Sequence, residues 1–128
     1  GYTMILIWIA LGGAIGSVLR YLIYIRIDSM HMSAFPVGIL VVNVLGSFLI
    51  GYLTWSLIYS IQLSDEYRSA ILIGLLGGFT TFSSFAYNNV DYFMSGQYLT
   101  MLMNIVLSVV LCIIAAGAGL MLAKSIIN

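Results

Sequence analysis

The run Gly77-Gly78-Phe79-Thr80-Thr81-Phe82-Ser83-Ser84-Phe85 gathers four hydroxyls and three phenyl rings into nine residues, with no ionisable group among them. Phe82 and Phe85 are three apart and so share a helix face. A phenyl ring is positive at its edge. Ring edges beside the hydroxyls of Ser83 and Ser84 would replace the water around a small anion without the grip of a full charge, a balance that conduction requires. The alternative is two rings that simply pack in lipid. The glycines matter too. Each Gly inside a helix costs about 1 kcal/mol relative to Ala, so two adjacent glycines ahead of two β-branched threonines form a weak point. If the helix breaks there, carbonyls near Gly77 and Thr80 would hold a cation, and the amides of the second half-helix would face an anion. Otherwise the helix is only kinked, and its glycines serve packing.

The remaining polar groups in apolar surroundings are few. Asn43 is either paired between helices or lines a path through the protein. Asn104, Ser108 and Cys112 are four apart and stack along one helix face, as a wet stripe or as helix–helix glue. Arg20 lies just inside the end of an apolar segment; it either snorkels to the interface or draws anions into a vestibule. No carboxylate stands in the middle of an apolar segment, Asp91 being near an end. This argues against proton-coupled cation export, which generally uses a buried acid. Cys112 is the one cysteine and His31 the one histidine, so no disulfide and no metal centre forms within the chain. No nucleophile–base pair is in reach, and an enzyme is not expected.

These residues must be positioned by membrane helices. Of 128 residues, 62% are apolar and 6% charged, with four cations balancing four anions. Eight charges cannot cover a water-facing surface, which excludes a cytosolic enzyme, a nucleic-acid binder and a disordered chain. A hydrocarbon core of ~30 Å needs about 20 apolar helical residues. Four windows suffice: about 4–25, 37–59, 69–94 and 98–123. Gly1 to Leu11 lacks a basic segment and a small-x-small cleavage pattern, and reads as the start of a helix. Pro36 suits the first turn of the second span, and Ser64 is a candidate cap for the third. Lys124 would anchor at the interface, with Tyr21, Tyr24, Trp55, Tyr59, Tyr67, Tyr92 and Tyr98 near span ends. Gly12 and Gly16 form a GxxxG pair, with Gly46, Gly51, Gly117 and Gly119 as further flat patches for close helix contact.

An even number of spans puts both termini on one side, together with Arg68 and Lys124, while Arg20 and Arg26 lie on the other. With two cations on each side, positive charge does not choose an orientation. Either the chain is oriented by other means, or copies insert both ways. Such copies would pair antiparallel about a two-fold axis in the membrane plane. The chain has no internal repeat, so that symmetry would need a second chain.

Gly12-Gly13-Ala14-Ile15-Gly16-Ser17-Val18-Leu19-Arg20-Tyr21 resembles the first-helix signature of the Fluc (CrcB) fluoride channels. The stretch from Phe35 to Gly46, through Pro36 and Asn43, resembles their second-helix pattern, and Gly74 to Phe85 the third. The resemblance covers nearly the whole chain, and the Gly-Gly-x-Thr-Thr-Phe-Ser-x-Phe string is highly specific. It implies an all-α protein of the cell inner membrane with a third helix broken at mid-membrane. It also implies an antiparallel, dual-topology dimer with two pores for passive, selective fluoride export. Phe82 and Phe85 would form the aromatic path with Asn43 beside it, and Arg20 would line the vestibule. Carbonyls of Gly77 and Thr80, with their symmetry mates, would hold a central structural Na+. A second polar track departs from the family pattern: Ile39 stands for a usual Thr, Ser84 for a frequent Thr, Asn88 for Glu, Asn104 for Tyr and Cys112 for Ser, while Ser108 matches.

The expectation is therefore a homodimeric fluoride channel. One rival is a subunit of a heterodimeric channel that needs a paralogous partner. The other is a small multidrug transporter, which would need a carboxylate in its first span, and Met4 to Ile25 has none.

Overall fold

The computed structural model describes residues 2–30 and 35–127, and the regular structure among them is entirely helical. His31, expected to stand apart from any metal centre, lies outside the described residues. Helix α1 is Tyr2–Asp28 and α2 is Val37–Ser56, prolonged by a wider π turn over Leu57–Ile61. The third span is built in pieces: α3 (Asp65–Ser69), a π stretch (Ala70–Leu75), α4 (Leu76–Phe79) and α5 (Phe82–Met94). Helix α6 is Tyr98–Ile126. These make four spans of 27, 25, 30 and 29 residues, and at about 1.5 Å per residue each is long enough to cross ~30 Å of hydrocarbon. The chain is a multi-pass membrane protein.

The helices outrun the apolar windows because backbone hydrogen bonding continues into polar residues that hydropathy leaves out. The third span starts at Asp65 rather than near Ser69. Asp65 and Glu66 in its first turn face the positive end of the helix dipole, and Arg68 pairs with Asp65 one turn on. Ser64 does occupy the cap position, but its side chain makes no capping bond. Its carbonyl accepts the Arg68 amide at 3.0 Å. Pro36 stands at the cap of α2 rather than inside its first turn, its carbonyl accepting the Leu40 amide at 3.1 Å. Lys124 belongs to the last turn of α6, with its ammonium 5.1 Å from the centre of the Trp55 ring. Tyr21, Tyr59, Tyr67 and Tyr98 are exposed, whereas Tyr92 is buried.

Two glycine seams decide which helices pair. Lipid supplies no hydrophobic drive between helices, so close backbone approach has to hold them. Helix α1 lies along the first half of the third span. A Cβ on Gly12 would strike the Ala70 carbonyl, and one on Gly16 the Leu75 carbonyl. From the other side, a Cβ on Gly74 would sit 2.5 Å from the Ile9 carbonyl and one on Gly78 2.7 Å from the Gly13 carbonyl. The GxxxG pair of α1 thus meets a second pair at the same spacing. The α2–α6 seam is built alike: Gly51 abuts the Ala116 carbonyl, and Gly119 abuts Phe48 and Tyr52. Gly117 faces open space instead. Helix α5 leans chiefly on α6, reached through the Ser95-Gly96-Gln97 turn, where Gly96 takes a φ of 76° that favours glycine.

Gly16→Val therefore lowers the thermal stability of the detergent-solubilised protein by about 2–3 kcal/mol. Gly117→Ala is neutral or stabilises by up to ~1 kcal/mol. Melting curves of the two variants that coincide would contradict the seam.

Candidate functional site

The site forms where the third span stops being helical. Thr80 has φ −86° and ψ 158°, and Thr81 φ −147° and ψ 118°, so both are extended. An unbroken helix would send the Thr81 amide to the Gly77 carbonyl and the Ser84 amide to the Thr80 carbonyl. Here the Thr81 amide donates instead to Asn43 Oδ1 at 2.8 Å, and Asn43 Nδ2 donates back to the Thr81 carbonyl at 2.9 Å. One side-chain amide from α2 thereby satisfies both backbone groups of one residue. The Ser84 amide is taken by Thr81 Oγ1 at 3.3 Å, an N-cap that starts α5. The Thr80 amide keeps the Leu76 carbonyl at 3.1 Å, and its hydroxyl donates to the same oxygen at 3.0 Å.

The interruption leaves the carbonyls of Gly77, Gly78, Phe79 and Thr80 without their helical donors. Arg20 supplies one substitute: its Nε donates to the Gly78 carbonyl at 3.1 Å, and its guanidinium lies 5.9 Å from the Tyr24 ring centre. A cation at a helix C-terminus meets the negative end of the dipole. Gly78 faces α1, whereas the Cβ direction of Gly77 is open. With Gly78 engaged, the carbonyls of Gly77, Phe79 and Thr80 lack helical donors at a negative helix end, and such oxygens are of the type that a hard cation takes. Gly77 and Thr80 thus fit the expected Na+ by donor type.

A cavity of about 450 Å³ opens beside the break, lined by residues of α2, the third span and α6. It brings together Asn43, Gly77, Thr80, Thr81, Phe82, Phe85, Ser108 and Cys112, among apolar walls such as Ile50, Leu72 and Leu76. No charged side chain is among its lining residues. Phe82 and Phe85 have ring centres 5.5 Å apart and planes tilted by 50°. Their exposures differ sharply: Phe85 is 7% exposed and packed, while Phe82 is 77% exposed on the open side. Ser83 and Ser84 are not lining residues; they cluster behind the rings on Thr81 Oγ1, which donates to Ser84 Oγ at 3.1 Å and lies 3.4 Å from Ser83 Oγ. Arg20 also lies off the cavity, on the α1 side at Gly78.

The polar stripe of α6 is divided. Ser108 and Cys112 border the cavity, while buried Asn104 sits one turn away and donates to Asn89 Oδ1 at 2.9 Å. Ile39 and Asn88 are half-buried and outside the lining. Asn89 escapes a reading of sequence motifs. Its signal is its register: Asn89 and Asn104 lie equally far on either side of the Gly96–Gln97 junction, so a tight hairpin must bring them level. The backbone-satisfying role of Asn43 has no sequence signal short of knowing where α2 crosses the break.

Fold and site together define a polytopic α-helical membrane protein whose interrupted third span opens on an uncharged, phenyl- and hydroxyl-lined cavity. The chain belongs to the CrcB family: residues 7–120 match the family described as CrcB-like protein, Camphor Resistance (CrcB). It is 40% identical over 118 residues to a protein of Geobacter sulfurreducens, covering 92% of this chain and 95% of that one. It is 43% identical over 118 residues to one of Parabacteroides distasonis, covering 92% and 91%. A third, from Hahella chejuensis, is 41% identical over 122 residues, covering 95% and 96%. Each of these relatives is named a fluoride-specific ion channel FluC.

Asn43→Leu leaves both Thr81 backbone groups without their side-chain partner, and should destabilise the protein by about 3 kcal/mol. Hydrogen exchange at the Thr81 amide should rise with it. Exchange as slow as in the wild type would mean that another group holds this amide.

Proposed function

We propose that the chain is a passive fluoride-selective channel of the cell inner membrane that lets fluoride leave the cell. The observation that carries this reading is the cavity at the helix interruption, whose polar groups are uncharged hydroxyls and an amide beside phenyl rings. Fluoride holds its water tightly, and a site that dehydrates it must offer hydrogen-bond donors of comparable number. A full positive charge at the same place would trap the ion. Asn43 Nδ2 keeps a second hydrogen beyond the one given to Thr81. The hydroxyls of Thr81 and Ser108, which donate to Ser84 Oγ and Asn104 Oδ1, would rotate to offer theirs, with Ser83 and Ser84 at the first turn of α5, whose N-terminal end adds a positive dipole. The electropositive edges of Phe82 and Phe85 complete the shell. Arg20, engaged on the Gly78 carbonyl, attracts anions from a distance without gripping one in the path. The family relationship and the printed names of the relatives support the same choice of ion.

The channel works as an antiparallel dimer with two pores. The even split of cations between the two ends supports insertion in both directions, and the exposed Phe82 on the open side of the cavity supports closure by a second copy. The carbonyls of Gly77 and Thr80, with their symmetry mates, would bind a Na+ at the dimer centre. There it would supply a fixed positive charge and join the two broken helices. A second reading, a heterodimer with a paralogous subunit, is favoured by the departures at Ile39, Asn88, Asn104 and Cys112, which would weaken one polar track.

Purified protein alone in liposomes decides between them. The expected result is fluoride efflux without chloride efflux, reduced about a hundredfold or more in Phe82→Ile, given that each ~1.4 kcal/mol lost at a barrier is tenfold in rate. Flux only after a second chain is added supports the heterodimer, and proton-dependent flux of an organic cation would reject the channel. Exchange of sodium for a large organic cation should weaken the dimer on size-exclusion chromatography. An unchanged dimer would reject the role of Gly77 and Thr80.

A further inference from the structure

Behind the cavity, on the α5–α6 seam, two amides and a hydroxyl form one chain of hydrogen bonds. Asn104, 1% exposed, donates from Nδ2 to Asn89 Oδ1 at 2.9 Å, and its own Oδ1 accepts the Ser108 hydroxyl at 3.3 Å. Ser108 borders the cavity with Phe85. In this direction Ser108 commits its single hydrogen to Asn104 and turns lone pairs to the cavity. An anion there meets an acceptor. An amide, however, has donor and acceptor ends of nearly equal shape. Rotating both amides reverses the chain on the same heavy-atom positions. Asn89 then donates to Asn104, Asn104 donates to Ser108, and Ser108 donates into the cavity, each link polarising the next.

We propose that Asn89 and Asn104 are positioning residues forming a reversible hydrogen-bond relay, which decides whether Ser108 offers oxygen or hydrogen to a passing anion. This rests on the channel reading given above. The relay needs an amide at both positions, because a carboxylate cannot donate and a hydrocarbon cannot link. The Ser108–Asn104 bond, at 3.3 Å against 2.9 Å for the amide pair, is the longer and weaker link, and an arriving anion breaks it first. Two asparagines serving only as helix glue would make no demand on the direction of the chain.

The test is fluoride efflux from liposomes carrying Asn89→Asp, Ser108→Ala and the combination. Aspartate accepts but does not donate, so it fixes the relay in the direction that withholds the Ser108 hydrogen. Asn89→Asp should slow efflux about tenfold more with Ser108 present than in the Ser108→Ala background, a coupling expected of side chains in one network. The added negative charge slows anions in both backgrounds and cancels in the comparison. Equal slowing in the two backgrounds overturns the relay. Asn104→Leu gives a second reading: the penalty of Ser108→Ala should shrink by about threefold or more in that variant, and an unchanged penalty also overturns the proposal. Wild-type protein without efflux, alone or with a paralogous partner, overturns the channel reading and the relay together. Normal wild-type efflux with additive variants overturns the relay alone.

Discussion

The paired hydrogen bonds between the Asn43 side chain and the backbone of Thr81 are the constraint on which the rest depends. An interrupted helix in lipid exposes amides and carbonyls that no solvent can satisfy, at several kcal/mol for each group left unpaired. Asn43 answers both groups of Thr81 at 2.8 and 2.9 Å, in the manner of a neighbouring strand. Thr81 Oγ1 answers the Ser84 amide and so starts the second half-helix, while Arg20 answers the Gly78 carbonyl that ends the first. These three substitutions satisfy the Thr81 amide and carbonyl, the Ser84 amide and the Gly78 carbonyl. The Gly77, Phe79 and Thr80 carbonyls remain without helical donors, and Gly77 and Thr80 border the cavity.

Such a geometry survives only on a rigid frame, because a hydrogen bond is lost over shifts of about an ångström. The glycine seams supply that rigidity. Gly12 and Gly16 interleave with Gly74 and Gly78, which fixes the height of α4 against α1 and delivers Arg20 to Gly78. Gly51 and Gly119 lock α2 to α6, and so fix Asn43 and Ser108 on walls of one cavity. Helix α5 is held more lightly, by its hairpin to α6 and by the amide pair Asn89–Asn104. The part of the chain that carries Phe82 and Phe85 is therefore the part with least backbone interlocking, set against two tightly meshed pairs.

The site's chemistry follows from its neutrality. In a low-dielectric setting a full charge interacts several-fold more strongly than in water. The cavity accordingly presents dipoles, hydroxyls and ring edges, with no charged side chain in its lining. Arg20 is turned to the Gly78 carbonyl on the α1 side, where it caps a helix end. The hydroxyls of Ser83, Ser84 and Thr81 bond to one another, which orients them but leaves each oxygen further hydrogen-bonding capacity.

Composition and period alone determined much of this protein. Eight charges in 128 residues require lipid as the solvent, and the apolar windows fix four crossings. The Gly-Gly-x-Thr-Thr string marks the weak point of the third span, since glycine and β-branched residues have low intrinsic helix propensity. GxxxG spacing announces a close contact, but it does not name the partner. Tertiary structure alone decided that Gly12 and Gly16 meet Gly74 and Gly78 while Gly117 meets nothing. It also divided Phe82 from Phe85 in exposure, although their spacing makes them equivalent on a helix. Above all, it decided that Asn43 holds Thr81. That pairing joins residues 38 positions apart, and separations of that kind are set by how helices cross, which no local propensity encodes.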